Sequence, residues 1–384
     1  MAKKKKKSSL TLKGQFDFTL AITVAILLGL GLVTLLSASS PTALSKTGNS
    51  YEYFWSQAKF AAIGIVVAII FLKMDYKILQ KNYKVIFALC FASLFAVFVL
   101  GAASHGAKRW LDLGIISFQP SELMKVGAII FYSAWLTKNK EKLKTFKYGF
   151  LKPILMIAPV AIIILFGQNH FSATLVILAL VAILMILAGC KIRYFIFIGV
   201  PLATAGIAAL FLAGQGFRMQ RLITFWDPWQ DALGDGWQII QSLYAIGSGG
   251  LFGVGLGDSK QKYLYISEPH NDFIFAVLAE ELGFIGCAVV IILFAILIWR
   301  GITIAMKAPD MFGSLLAAGL TSMIAIQVLI NIAVVTASMP VTGMALPFFS
   351  YGGTALIIEM AAVGILLSVS KAGNPSAQGG INWK

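Results

Sequence analysis

SEPHNDFIFAVLAEELG (267–283) decides how this chain is to be read. It starts as a polar loop, passes Pro269, His270, Asn271 and Asp272, and then turns apolar with helical periodicity. Glu280 and Glu281 follow about two turns into that run. Upstream it closes the one long polar stretch of the protein, 214–271. That stretch opens GQGFRMQRLITFWDPWQD (214–231) and continues through SGGLFGVGLGDSKQKY (248–263). Almost everything on either side is compatible with hydrocarbon.

The composition says the same. Of 384 residues 59% are hydrophobic and 12% charged, with a mean hydropathy of +0.85. A soluble domain cannot hide that much apolar surface, so the chain reads as a polytopic membrane protein. The net charge of +15 does not point to nucleic acid, because the basic residues sit in short clusters between apolar runs. Spans are predicted at 16–38, 53–72, 84–103, 119–137, 151–167, 171–188, 192–213, 272–299, 312–336 and 350–370. In a bilayer every backbone polar group must be paired internally, which leaves an all-α bundle. MAKKKKK reads as the cytoplasmic flank of a retained first helix.

Orientation follows from the lysines. With the N-terminus inside, 1–15, 73–84, 138–152, 189–193, 300–311 and the tail hold most of the 31 Lys and Arg. Both termini are then cytoplasmic and 214–271 is a large extracellular loop. The whole of 1–384 reads as a single transmembrane domain, with a basic N-terminus (1–15) and a short tail (372–384). The loop is too short and apolar for its own core. In GWQIIQSLYAIGSGG (236–250), Ile239, Ile240, Leu243 and Ile246 fall at helical spacing opposite Gln238, Gln241 and Ser242. This predicts an amphipathic helix lying in the membrane interface. Cys90, Cys190 and Cys287 lie in or beside spans and suggest neither a disulfide framework nor a metal site.

Asp272 is the leading catalytic candidate. An acid at a helix start can simply complement the helix dipole. It can also act as a general base, taking the proton from an attacking hydroxyl in a lipid-bounded cavity. If the leaving group is a diphosphate whose charge is received by cations, one carboxylate is enough. Asp272, Ala276 and Glu280 share i, i+4, i+8 spacing. Glu280 and Glu281 are carboxylates within a span, for which a structural ion pair and a role behind the site are both open. Glu122 and Lys125 are spaced for a pair on one helix face. Lys108, Arg109 and Trp110 start a short outer loop, where snorkelling or a phosphate contact would each suit them. Arg218, Arg221, Lys260 and Lys262 are further outer cations, and His270 and Ser350 are candidate substrate contacts. The glycines at 249, 250, 253, 255 and 257 lack the ending of a nucleotide loop and read best as a mobile turn. No metal motif is present, although a divalent cation (Mg or Mn) shared between a diphosphate and an acid is chemically compatible.

Three stretches together resemble one family: RWLDLGIISFQPSELMK (109–125), the run 236–284, and NIAVVTASMPVTGMALPFFSYGGTALI (331–357). They are similar to the SEDS family (FtsW, RodA and SpoVE), and most like its FtsW/SpoVE branch from Gram-positive bacteria. The resemblance implies a peptidoglycan glycosyltransferase that polymerises lipid II into a nascent glycan strand. It places the family's essential aspartate on Asp272 and sets Glu122 and Lys125 beside the central cavity. It also implies a class B penicillin-binding protein transpeptidase as partner, other divisome membrane proteins, and enrichment at the division septum. The chain departs from the family at Asn169-His170-Phe171-Ser172, where a Pro-Asp-x-Gly pattern is usual, and at Ala337, where glycine is usual. A lipid II flippase, a RodA-type elongation polymerase and a division scaffold are the competing readings.

Overall fold

The computed structural model describes residues 16–373 except 101, 105–106, 113–116, 202–203, 206–207, 209–223, 235 and 264. The basic N-terminus, His105, Arg218, Arg221, the side chain of Lys108 and the tail from 374 lie outside the described residues. The helices that matter are α1 (Phe18–Thr47), α2 (Glu52–Lys73), α3 (Tyr83–Leu100), α4 (Pro120–Lys138) and α5 (Lys147–Gly167). They continue with α6 (Phe171–Leu187), α7 (Trp237–Gly249), α8 (Ile274–Lys307), α9 (Met311–Val335) and α10 (Gly353–Gly373). Six of them, α1, α2, α5, α8, α9 and α10, are long and apolar enough to cross a bilayer. The chain is a multi-pass α-helical membrane protein.

The first span runs well beyond its predicted end at 38. Its later residues are polar, but backbone helix bonds do not require apolar side chains, and Thr47 and Ser45 return their hydroxyls to the carbonyls of Ala43 and Thr42. Gly48 then ends the helix at φ 74° with its N–H on Leu44 O. At the other end Asp17 caps Leu20 N at 3.0 Å and is gripped by Arg300 of α8, Nε to Oδ2 at 3.0 Å. Small residues let α2 and α10 lie close together: Gly64 faces Met360, and Gly364 rests on the backbone of Ala68.

Between α3 and α4 the chain forms a small antiparallel sheet, β1 (Ala102–Ser104), β2 (Ala107–Asp112) and β3 (Ser117–Phe118), in the order β1-β2-β3. Ala103 pairs with Lys108 and Leu111 with Phe118. The sequence reading has only a loop here.

The predicted span at 272–299 requires two corrections. The helix begins at Ile274, so Asp272 precedes it, and the proposed shared helical face with Ala276 and Glu280 does not exist. It is also broken at Gly283, whose φ of 65° and ψ of −166° are outside helical geometry. A break strands the last carbonyls of one segment and the first N–H groups of the next. The glycine-rich loop supplies the missing partners. Val254 and Gly255 donate to Glu280 O and Glu281 O, while Phe284 and Ile285 donate to Gly250 O and Leu251 O. A β-carbon at Gly253 would overlap the Glu281 carbonyl and one at Gly249 the Ala279 carbonyl, so these two glycines permit backbone-to-backbone contact.

The helix α7 forms as the amphipathic pattern predicts, but a different face is buried. Ile239, Ile240, Gln241, Ser242 and Ala245 are inside, and Ser242 Oγ donates to Val335 O at 2.7 Å. A buried hydroxyl is tolerated because it has a partner.

Ala337 follows α9 at φ 53°, a left-handed conformation that costs an alanine about 1–2 kcal/mol. Ala337→Gly is expected to raise thermal stability by about 1 kcal/mol, seen as a higher unfolding midpoint in detergent.

Candidate functional site

Asp272 lies in the turn ahead of α8, against the segment that links α9 to α10. Three successive carbonyls of that turn are held, two by this segment and one by Asn331 near the end of α9. His270 O accepts from Tyr351 N at 2.8 Å, Asn271 O from Ser350 Oγ at 2.7 Å and Asp272 O from Asn331 Nδ2 at 2.7 Å. Gly343, at φ 68°, approaches the acid so closely that a β-carbon there would stand 3.3 Å from Asp272 Oδ2. Ser350, predicted as a substrate contact, therefore meets the backbone beside the acid.

His270 is buried, stacks on Tyr53 with ring centres 4.8 Å apart, and meets Tyr351 edge-on. Its Nε2 lies 3.5 Å from Glu268, and Nδ1 has no hydrogen-bond partner among the described residues. Burial, helped by the charge of Lys46, holds the imidazole down at about 4 from an ordinary 6.5. The folded protein thus keeps His270 neutral where the unfolded chain would protonate it. The His270 contribution to stability is expected to be lost as pH drops from about 6.5 towards 4, on the order of 3 kcal/mol. Melting midpoints against pH should show this slope, and His270→Asn should make it shallower.

A second cluster gathers around the turn between α5 and α6. Arg109 of β2 donates from Nη2 to Asn169 O at 2.8 Å and from Nε to Gln168 O at 3.2 Å. Trp110, its neighbour on β2, is half-buried. His170 is buried, and desolvation, then the charges of Arg109 and Lys125, press it down to about 3. Lys125 is 1% exposed and sits 2.6 Å from Glu122, so the pair predicted on α4 is formed. Ser172 Oγ donates to Thr342 O at 2.8 Å, which joins this cluster to the loop carrying Gly343 and so to Asp272.

The carboxylates of α8 face elsewhere. Glu280 accepts from Ser259 Oγ at 2.5 Å, Lys260 N at 3.0 Å and Gln261 N at 3.3 Å. Glu281 pairs with Lys262 at 3.0 Å and accepts from Ser37 of α1 at 2.5 Å. Lys262 is 3% exposed, with its ammonium given to Glu281, Ser37 and Gly257 O. The expectation of a diphosphate contact at Lys262 meets a buried ion pair instead. The side chain of Lys260 is exposed. Among the described residues no three His, Cys, Asp or Glu side chains converge as a metal site.

Three residues at these clusters escaped the sequence reading. Asn331, Gln57 and Glu359 are polar side chains inside spans, buried and hydrogen-bonded: Gln57 to Ser350 O at 3.2 Å and Glu359 to Phe348 N at 3.0 Å. The signal was available, because a polar residue in a membrane span has to be satisfied by something.

The family profile described as "Cell cycle protein", FTSW_RODA_SPOVE, matches residues 18–374. The chain belongs to the FtsW/RodA/SpoVE family. Stage V sporulation protein E of Bacillus subtilis (strain 168) is 42% identical to it, over 94% of this chain and 98% of that protein. A probable peptidoglycan glycosyltransferase FtsW of Geobacter sp. (strain M18) is 40% identical, over 92% of this chain and 96% of its own length. Among solved structures, a chain from a study of how a peptidoglycan synthase complex coordinates polymerization and crosslinking superposes with a TM-score of 0.78. It is 28% identical and covers 93% of this chain and 98% of its own. Thermus thermophilus rod shape determining protein RodA superposes at 0.68, with 27% identity over 92% of this chain and 96% of that one.

Proposed function

We propose that the chain is a peptidoglycan glycosyltransferase that polymerises lipid II at the outer face of the cell membrane, with Asp272 as general base. The observation that carries the reading is the fixed turn 270–272, which presents a single carboxylate beside Gly343 at the edge of a spanning bundle. A donor and an acceptor that are both lipid-linked need a site open sideways to the bilayer. An acid ahead of a spanning helix suits that requirement. The 4-hydroxyl of the incoming GlcNAc attacks the anomeric carbon of the strand's MurNAc, and its proton passes to the Asp272 carboxylate. The bond to undecaprenyl diphosphate breaks with its electron pair on the leaving oxygen, and nearby cations receive the charge. Lys46, whose charge reaches His270, and Lys260, whose side chain is exposed, are the described cations we assign to that role. The lysine asymmetry supports cytoplasmic termini and an outward-facing 214–271.

Likeness to FtsW-named relatives supports a septal role in division, with enrichment at the septum. The synthase-complex neighbour supports a class B penicillin-binding protein transpeptidase as partner, with other divisome membrane proteins around it. Flipping of lipid II gains no support from Glu280 and Glu281, since both are occupied by the 259–262 loop. The deciding experiment incubates the purified protein with labelled lipid II, with and without a class B transpeptidase, and sizes the product. Glycan polymer in either arm supports the proposal, and unreacted lipid II in both arms refutes it.

A further inference from the structure

We infer that Asn331 and Ser350 are positioning residues for Asp272, acting through the peptide bonds on either side of it; this rests on the reading of Asp272 as the base. A turn just ahead of a helix would ordinarily leave its carbonyls to water. Here three in a row are taken, two by the link between α9 and α10 and one by Asn331 of α9, all at 2.7–2.8 Å. Asn331 is buried in α9 and uses both amide hydrogens as a staple: one on Asp272 O at 2.7 Å, the other on Met344 O at 2.8 Å. One NH₂ group therefore fixes the acid's peptide relative to the loop that contains Gly343.

Ser350 works in both directions, accepting from Leu346 N at 2.8 Å and donating to Asn271 O at 2.7 Å. Gln57 of α2 locks that serine's own peptide, with Nε2 on Ser350 O and Oε1 taking Gly352 N, each at 3.2 Å. Neither Asn331 nor Ser350 bonds to the carboxylate through these contacts. Their effect is on where the carboxylate stands, and a general base has to stand within hydrogen-bond reach of its proton. The chemistry of the staple is specific. An ionised aspartate at 331 has no donor and would set negative oxygens against two carbonyls, while leucine matches the volume without the bonds.

The test measures lipid II polymerisation per folded molecule for Asn331→Leu, Asn331→Asp, Ser350→Ala and Ser350→Thr, beside Asp272→Ala. The expected result is a kcat at least about tenfold lower for the first three, with KM for lipid II within about twofold. Ser350→Thr keeps the hydroxyl and should retain most of the rate. A purely structural role would instead reduce the yield of folded protein and leave kcat per folded molecule unchanged, which overturns the inference. A raised KM at constant kcat for Ser350→Ala means direct substrate contact and overturns it too. If Asn331→Leu does not fold, the contrast between Ser350→Ala and Ser350→Thr decides alone. Should Asp272→Ala itself remain active, the base assignment fails; an inactive Asp272→Ala beside fully active staple variants defeats only the positioning role.

Discussion

Asp272→Asn is expected to lower lipid II polymerisation by ~10²–10⁴-fold, the range over which a positioned general base contributes. Asparagine keeps the size of the side chain and the backbone bonds from Asn331 and Ser350, since those reach carbonyls rather than the carboxylate. What it loses is the capacity to accept a proton at the moment the acceptor hydroxyl attacks. On the proposed reading cations and not this acid hold the sugar diphosphate, so KM for lipid II should change little. A melting midpoint close to that of the unmodified protein would show that folding is unaffected. Activity within about threefold of normal would remove Asp272 from the chemistry.

Lys262→Met is expected to destabilise the protein by about 3–5 kcal/mol, the cost of leaving a buried carboxylate without its cation. Glu281 is 1% exposed and would retain only Ser37 of the partners it has now. The 257–262 loop would also lose its hold on α1, because the same ammonium reaches Ser37 and Gly257 O. Thermal unfolding in detergent measures the loss. The double variant Lys262→Met/Glu281→Leu should recover most of it, since replacing both members of a buried pair by apolar groups is often close to neutral. An unchanged midpoint together with a higher KM would instead mean that the lysine meets substrate.

The apolar spans were legible because hydrocarbon compatibility is written residue by residue. What the pattern does not record is where a backbone stops being helical. Residues 39–47 are too polar for a membrane window, yet α1 continues through them. Gly283 lies in an apolar run, where a glycine costs only about 1 kcal/mol if it stays helical, so nothing local announces a break. The break depends on partners around thirty residues upstream, at 250–255. The sheet at 102–118 was missed for a different reason: its strands are very short, and KRWLD (108–112) reads as plausibly as a loop.

Asp272 was singled out by its place between loop and helix together with the family resemblance, and His270 and Ser350 were named beside it, whereas Asn331 and Gln57 were not. Asn331 and Gln57 each look like a single polar interruption in a span, and only the folded chain reveals that both converge on the turn beside the acid. Lys262 shows the converse. A lysine in an outer loop is ordinarily solvated, and no feature of SKQKY (259–263) signals that Glu281 lies 3.0 Å away.

The discontinuity at Gly283 also bears on how the protein meets bilayers of different thickness. A continuous rod from Ile274 to Lys307 would have to lean as a whole to match a thinner membrane, sweeping its leading end sideways. With the axis interrupted, the 250–255 loop holds the backbone on both sides of Gly283, so the lipid-facing part beyond Ile285 leans about a held joint instead of dragging the short part before it. Composition of the surrounding lipid should then alter how the long segment sits far more than it alters the turn that carries Asp272.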